Sequence, residues 1–233
     1  MKIFLIGYRA SGKTTVGKLL AQKLGLPFAD TDLLSEKKAG MTIKDFVAAR
    51  GWEAFRRLEA ETVASLCNAP PAVVATGGGV VMAGENLLLL KSMGPLVYLQ
   101  TPLADLLARL KRDASGPQVR PPFTAEDLDV QTKAVLARRL PVYEAAADFT
   151  VDTNGKSVVR VADEIYGRLL EAAVELFGLS GREATGENAR KGNGAAADVQ
   201  GEAPRNEVVE PVRVAGREGT GKAPGYPGGL ERR

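Results

Sequence analysis

The chain has 233 residues, 45% of them hydrophobic and 25% charged, with a net charge of +3. Its positive and negative side chains are interspersed, which excludes the one-faced basic patch of a nucleic-acid binder. The single cysteine, Cys67, excludes an internal disulfide and fits a reducing cytosol; with no histidine, acid–base work falls to a carboxylate, a lysine or the substrate.

The chain opens on a short apolar run, Ile3-Phe4-Leu5-Ile6, which reads as a buried strand and is too short for a secretory signal. Gly7 to Thr14 then spells G-Y-R-A-S-G-K-T, and apolar residues at Val16, Leu19, Leu20 and Leu24 predict a helix over 14–24. Strand, glycine-bounded loop and helix together make a phosphate-binding loop. Its backbone N–H groups wrap phosphate oxygens, Lys13 reaches the β- and γ-phosphates, and the Thr14 hydroxyl is a magnesium ligand. The chain is therefore expected to bind a nucleoside triphosphate. A second run, G-R-E-G-T-G-K at 216–222, meets Ala223 where the hydroxyl belongs and a proline-rich stretch where a helix is needed. It reads as coincidence.

Gly25 and Pro27 end the first helix, and 27–30 is expected to be a second strand closing on Asp30-Thr31-Asp32. Residues two apart in extended chain point the same way, so both carboxylates are expected to face one crevice. One suits a magnesium ion and the other a substrate hydroxyl; a solvated turn with a helix N-cap is the plainer alternative.

Helices are predicted over 33–39, 42–50 with Thr42 as N-cap, and 52–67, where Cys67 reads as a small buried residue. Arg56 and Glu59 lie three apart on one helical face, so Glu59 can orient Arg56; an exposed ion pair explains the spacing equally. A buried strand at 72–76 runs into Gly77-Gly78-Gly79, which permits backbone approach to a ligand or simply makes a tight turn. A helix over 85–93, a strand over 96–99 and a helix from Thr101-Pro102 to about 112 follow. Turn chemistry without periodicity over 113–125 predicts a lid, with Arg120 closing over phosphates or merely facing solvent. Beyond it come a helix over 126–146 carrying Arg138 and Arg139, a strand over 149–151 and a helix over 158–177. Paired arginines suit a planar carboxylate, or mark a helix end.

Strands alternating with helices predict an α/β fold, three layers about a parallel sheet, with ligands at the carboxyl ends of the strands. Residues 1–177 form the expected domain. Residues 178–233 hold 12 of the 26 glycines without apolar periodicity and read as a disordered tail. The interrupted run at 87–99 is too broken to span a membrane.

The ordered set of G-x-x-x-x-G-K-T, D-T-D, F-R-R-x-E, a triple glycine, V-R-P and R-R-x-P-x-Y, over roughly 1–170, resembles the shikimate kinase family. The resemblance implies a P-loop kinase fold with a five-stranded parallel sheet. It also implies phosphorylation of the shikimate 3-hydroxyl by ATP with Mg²⁺, in chorismate synthesis, by a cytoplasmic monomer. It would place Ala10, Ser11, Gly12, Lys13, Thr14, Thr15, Arg112 and Arg120 on ATP, with Arg112 on the adenine. Thr14 and Asp30 would serve Mg²⁺. Asp32 would hold the shikimate hydroxyls as the candidate base, Arg56 and Arg139 would clamp the carboxylate, and Gly78 and Gly79 would approach the substrate by backbone N–H. The substrate-binding helices would span about 32–62. Ala10 stands where the family often has glycine, so that position is expected to avoid left-handed geometry. A gluconate-type kinase shares the loop but has no need of arginines at both 56 and 139; a non-catalytic nucleotide module has no need of the rest.

Overall fold

The computed structural model describes residues 1–113 and 127–177. The predicted lid beyond Asp113, with Arg120, and the predicted tail with its second glycine-lysine run lie outside the described residues.

Five short strands, β1 (Ile3–Ile6), β2 (Phe28–Asp30), β3 (Val73–Ala75), β4 (Leu96–Gln100) and β5 (Phe149–Asp152), form one parallel sheet in the order β2-β3-β1-β4-β5. Phe4 pairs with Val74 on one side and Leu96 on the other, so β1 is central. Parallel strands must be covered on both faces, and β1 shows the consequence directly. Phe4 and Ile6 enter one core with Val63, Leu90, Leu106, Val135 and Tyr143, while Ile3 and Leu5 enter another with Val16, Leu20, Val161 and Ile165. The first core is closed by α3 (Ile43–Ser65), α4 (Gly84–Met93), α5 (Leu103–Asp113) and α6 (Leu128–Ala146); the second by α1 (Lys13–Leu24) and α7 (Val158–Phe177).

A third, smaller core of Ile43, Phe46, Phe55 and Leu58 builds the flap formed by α2 (Thr31–Ala39) and α3. Thr42 caps α3 as expected, accepting from the Asp45 N–H. The two predicted helices on either side of Gly51 are one element bent there, with Gly51 at φ 78° and ψ 169°.

Two expectations fail locally. The extended chain stops at Asp30, and Thr31 and Asp32 are already helical, so the period-two argument does not apply to Asp32. Asp30 is the N-cap, accepting from the Asp32 N–H at 3.0 Å. Capping outcompetes one further extended residue because it satisfies an orphan helix donor. Cys67 lies exposed in a one-turn 3₁₀ segment (Leu66–Asn68) rather than buried in a helix. Leu66 takes the buried position in that turn instead.

Candidate active site

The loop after β1 and the N-terminus of α1 form the floor of a cavity of about 810 Å³. Ala10, Ser11, Gly12, Lys13, Thr14 and Thr15 line it, with Asp30, Asp32 and Thr76 from the ends of β2 and β3. Arg109 and Arg112 on α5 and Thr153 and Lys156 after β5 complete the wall. All of these follow the carboxyl edge of the sheet, where an open parallel sheet offers its crevice. Gly12 is the N-cap of α1 at φ 95°, a geometry that opens the loop's N–H groups toward the cavity. Lys13 rests back on its own loop, donating to the Gly7 carbonyl at 2.9 Å and the Tyr8 carbonyl at 2.6 Å. The Thr14 hydroxyl donates to Asp30 Oδ2 at 2.8 Å, so the two predicted magnesium ligands adjoin.

Ala10 departs from expectation. Its φ is 62°, inside the left-handed region it was expected to avoid. The loop's winding imposes that geometry, and the Ala10 carbonyl accepts from Arg109 Nη1 at 3.2 Å.

A second cavity, about 30 Å³, lies beneath the α2–α3 flap. Arg56, Glu59, Gly78, Gly79 and Arg139 line it with Trp52 and Phe55. Arg9 and Asp32 line both cavities, which therefore meet at Asp32. The smaller space holds about one water, so a cyclic acid enters only as the flap and its arginines part.

Glu59 is buried and accepts from Arg56 Nη1 at 2.5 Å, which is the orienting contact that the three-residue spacing predicts. Burial raises the Glu59 carboxyl pKa, while the Arg56 and Arg139 guanidinium groups pull it down. Arg139 donates to the Gly78 carbonyl at 2.9 Å and lies 5.9 Å from the centre of the Tyr8 ring. Arg138 is exposed and does not line the cavity, so the pair of arginines does not act as a pair. A helix turns 100° per residue, and neighbours along it cannot share a face.

The triple glycine has a steric reason at each end. A Cβ on Gly77 would sit 2.7 Å from Asp32 Oδ1 and 3.1 Å from Glu59 Oε1, and one on Gly79 would overlap the Arg56 guanidinium. Sequence reasoning gave Gly77 no role. It also gave none to Tyr143, whose hydroxyl donates to the Gly78 carbonyl at 2.5 Å beside Arg139. Burial pushes the Tyr143 pKa up to about 12, keeping it a neutral donor. Its signal was available, since four residues after Arg139 places it on the same helical face. Arg9, Arg109 and Lys156 were missed because proximity to the cavity arises only from the fold.

Among the described residues no group of three or more Asp, Glu, His or Cys side chains is placed to hold a metal. Asp30 and Thr14 beside a triphosphate cavity fit magnesium, which uses few protein ligands and takes the rest from phosphates and water. Also among the described residues, no helix is long and apolar enough to cross a membrane.

A phosphate loop at the edge of a five-stranded parallel sheet, with an arginine-lined cavity beside it, defines a P-loop kinase of small anionic molecules. Comparison with known proteins narrows the class. The sequence model of the shikimate kinase family matches residues 9–170, and the chain belongs to that family. The shikimate kinase of Moorella thermoacetica is 44% identical over 163 residues, covering 70% of this chain and 91% of that protein. That of Syntrophus aciditrophicus is 39% identical over 174 residues, covering 71% and 89%. Among solved structures, shikimate kinase from Acinetobacter baumannii in complex with shikimate superposes with a TM-score of 0.68 at 34% identity, over 73% of this chain and 93% of that one.

Proposed function

We propose that the chain phosphorylates shikimate from ATP at the junction of the two cavities. The observation that carries this reading is that Asp32 borders both spaces. A carboxylate there can hold a substrate hydroxyl in line with the terminal phosphate of a nucleotide lying on the loop.

In this reading Lys13 leaves the Gly7 and Tyr8 carbonyls for the β- and γ-phosphates, exchanging two neutral acceptors for charged ones. Thr14 and Asp30 would hold Mg²⁺, which when bound neutralises charge on the phosphate oxygens. Arg112 takes the adenine side of the larger cavity. Arg56, oriented by Glu59, and Arg139, braced on Gly78, take the substrate carboxylate as a two-sided guanidinium clamp. Gly78 and Gly79 supply backbone approach. Asp32 accepts the hydroxyl proton as oxygen attacks phosphorus, with no covalent enzyme intermediate. Arg120 closes over the transferring phosphate and excludes water. The enzyme works as a cytoplasmic monomer, a reading supported by one cysteine and interspersed charge.

The test is ADP release by the purified chain supplied with ATP, Mg²⁺ and either shikimate, gluconate or a neutral polyol. Turnover with shikimate at least a hundredfold above the others is expected. Equal or greater turnover with gluconate would overturn the reading.

A further inference from the structure

Arg109 on α5 has no part in the reading above, yet it touches the phosphate loop from 99 residues away. Ala10 is the one non-glycine residue with positive φ among the described residues, at 62°. That geometry is unfavourable for alanine because its Cβ crowds the following carbonyl oxygen. The loop keeps it nevertheless, so some contact offsets the cost. The Ala10 carbonyl accepts from Arg109 Nη1 at 3.2 Å, and the same nitrogen lies 3.8 Å from where a Cβ on Gly12 would stand. One half-buried guanidinium thus braces both residues that flank Ser11. Its helix is anchored one turn earlier by Leu106, which is buried in the larger core.

We propose that Arg109 is a positioning residue for ATP: its hydrogen bond to the Ala10 carbonyl holds the loop in the left-handed turn that aims its N–H groups at phosphate. The bond is charge-assisted and therefore stronger than a neutral one. Without it, alanine relaxes toward negative φ and the loop must be rewound each time nucleotide binds, which weakens apparent affinity. Arg109 also lines the cavity, so direct contact with nucleotide is the competing explanation. A glycine at position 10 separates the two. Glycine adopts positive φ without penalty, so a loop carrying it needs no brace. A direct nucleotide contact would be indifferent to residue 10.

The inference rests on the reading of the larger cavity as the ATP site. That reading is checked first, by ATP-dependent turnover of the natural chain. The experiment then measures KM for ATP and for shikimate in the natural chain, Arg109→Ala, Ala10→Gly and the double variant, a thermodynamic cycle. Arg109→Ala is expected to raise KM for ATP about tenfold and leave KM for shikimate within about twofold. In the Ala10→Gly background the same change should cost about twofold or less. If Arg109→Ala fails to fold, Arg109→Lys is used in both backgrounds, with the same rescue by glycine on a smaller loss. An identical loss in both backgrounds, an unchanged KM for ATP, or an equal rise for shikimate would each overturn the proposal.

Discussion

Glu59 shows how one buried carboxylate trades stability for geometry. Burial raises its pKa from the ordinary 4.5, against the pull of Arg56 first and of Arg139. The folded chain therefore holds this proton more tightly than the unfolded chain does. As pH rises from the ordinary value through the raised one, the unfolded state releases its proton first, and stability falls. Replacing Glu59 with glutamine removes that slope and frees the Arg56 guanidinium from its anchor. Glu59→Gln should gain stability relative to the natural chain between about pH 4 and about pH 8, measured by urea midpoints, while KM for shikimate rises about tenfold. A relative stability that stays flat or falls over that range would contradict the burial argument. The pairing of residues 56 and 59 was legible from spacing alone. The burial that gives it this pH dependence was not, because it arises from Gly77 letting the carboxylate lie against the backbone.

At the scale of elements, local signals located most helices and strands and failed where two of them competed. Thr42 and Gly51 both read correctly, as a cap and an interruption. The sequence breaks at Gly51, but the helix axis only bends, because a third core of Phe46, Phe55 and Leu58 holds the two halves together. At Asp30 a strand signal and a capping signal overlap, and capping wins. Pro141 resembles a helix stop, yet α6 runs through it to Ala146, since Tyr143 and Ala146 are buried in the main core. Tertiary packing overrides a local breaker there. Gly51 gives the sharpest test. Its φ and ψ lie in a region essentially reserved for glycine, and a Cβ there meets nothing within 4 Å. Gly51→Ala should therefore destabilise by about 1–3 kcal/mol through backbone strain alone, read from denaturant midpoints. A gain of about 1 kcal/mol, as at an ordinary helical glycine, would show the bend is absent in solution.

At the scale of the molecule, the α/β class, the parallel sheet and the position of the crevice followed from alternation of apolar runs and helical patterns. The strand order, with β3 and β4 flanking β1, did not, because it depends on which helices cover which face. That order brings Asp30, Gly77 and the phosphate loop together. Residues 178–233 have the composition of a chain that cannot offset its ordering entropy. Ending the chain after residue 177 should leave turnover within about twofold and the melting temperature within about 2 °C. A larger loss in either would assign that segment a part in folding or catalysis.

The account depends on two separate ligand sites that meet at one carboxylate. Calorimetric titration of Arg139→Ala with shikimate and, separately, with a non-hydrolysable ATP analogue tests that separation most directly. Shikimate affinity should fall about 10- to 100-fold, with nucleotide affinity unchanged within about twofold. Equal loss of both ligands, or undiminished shikimate binding, would contradict it.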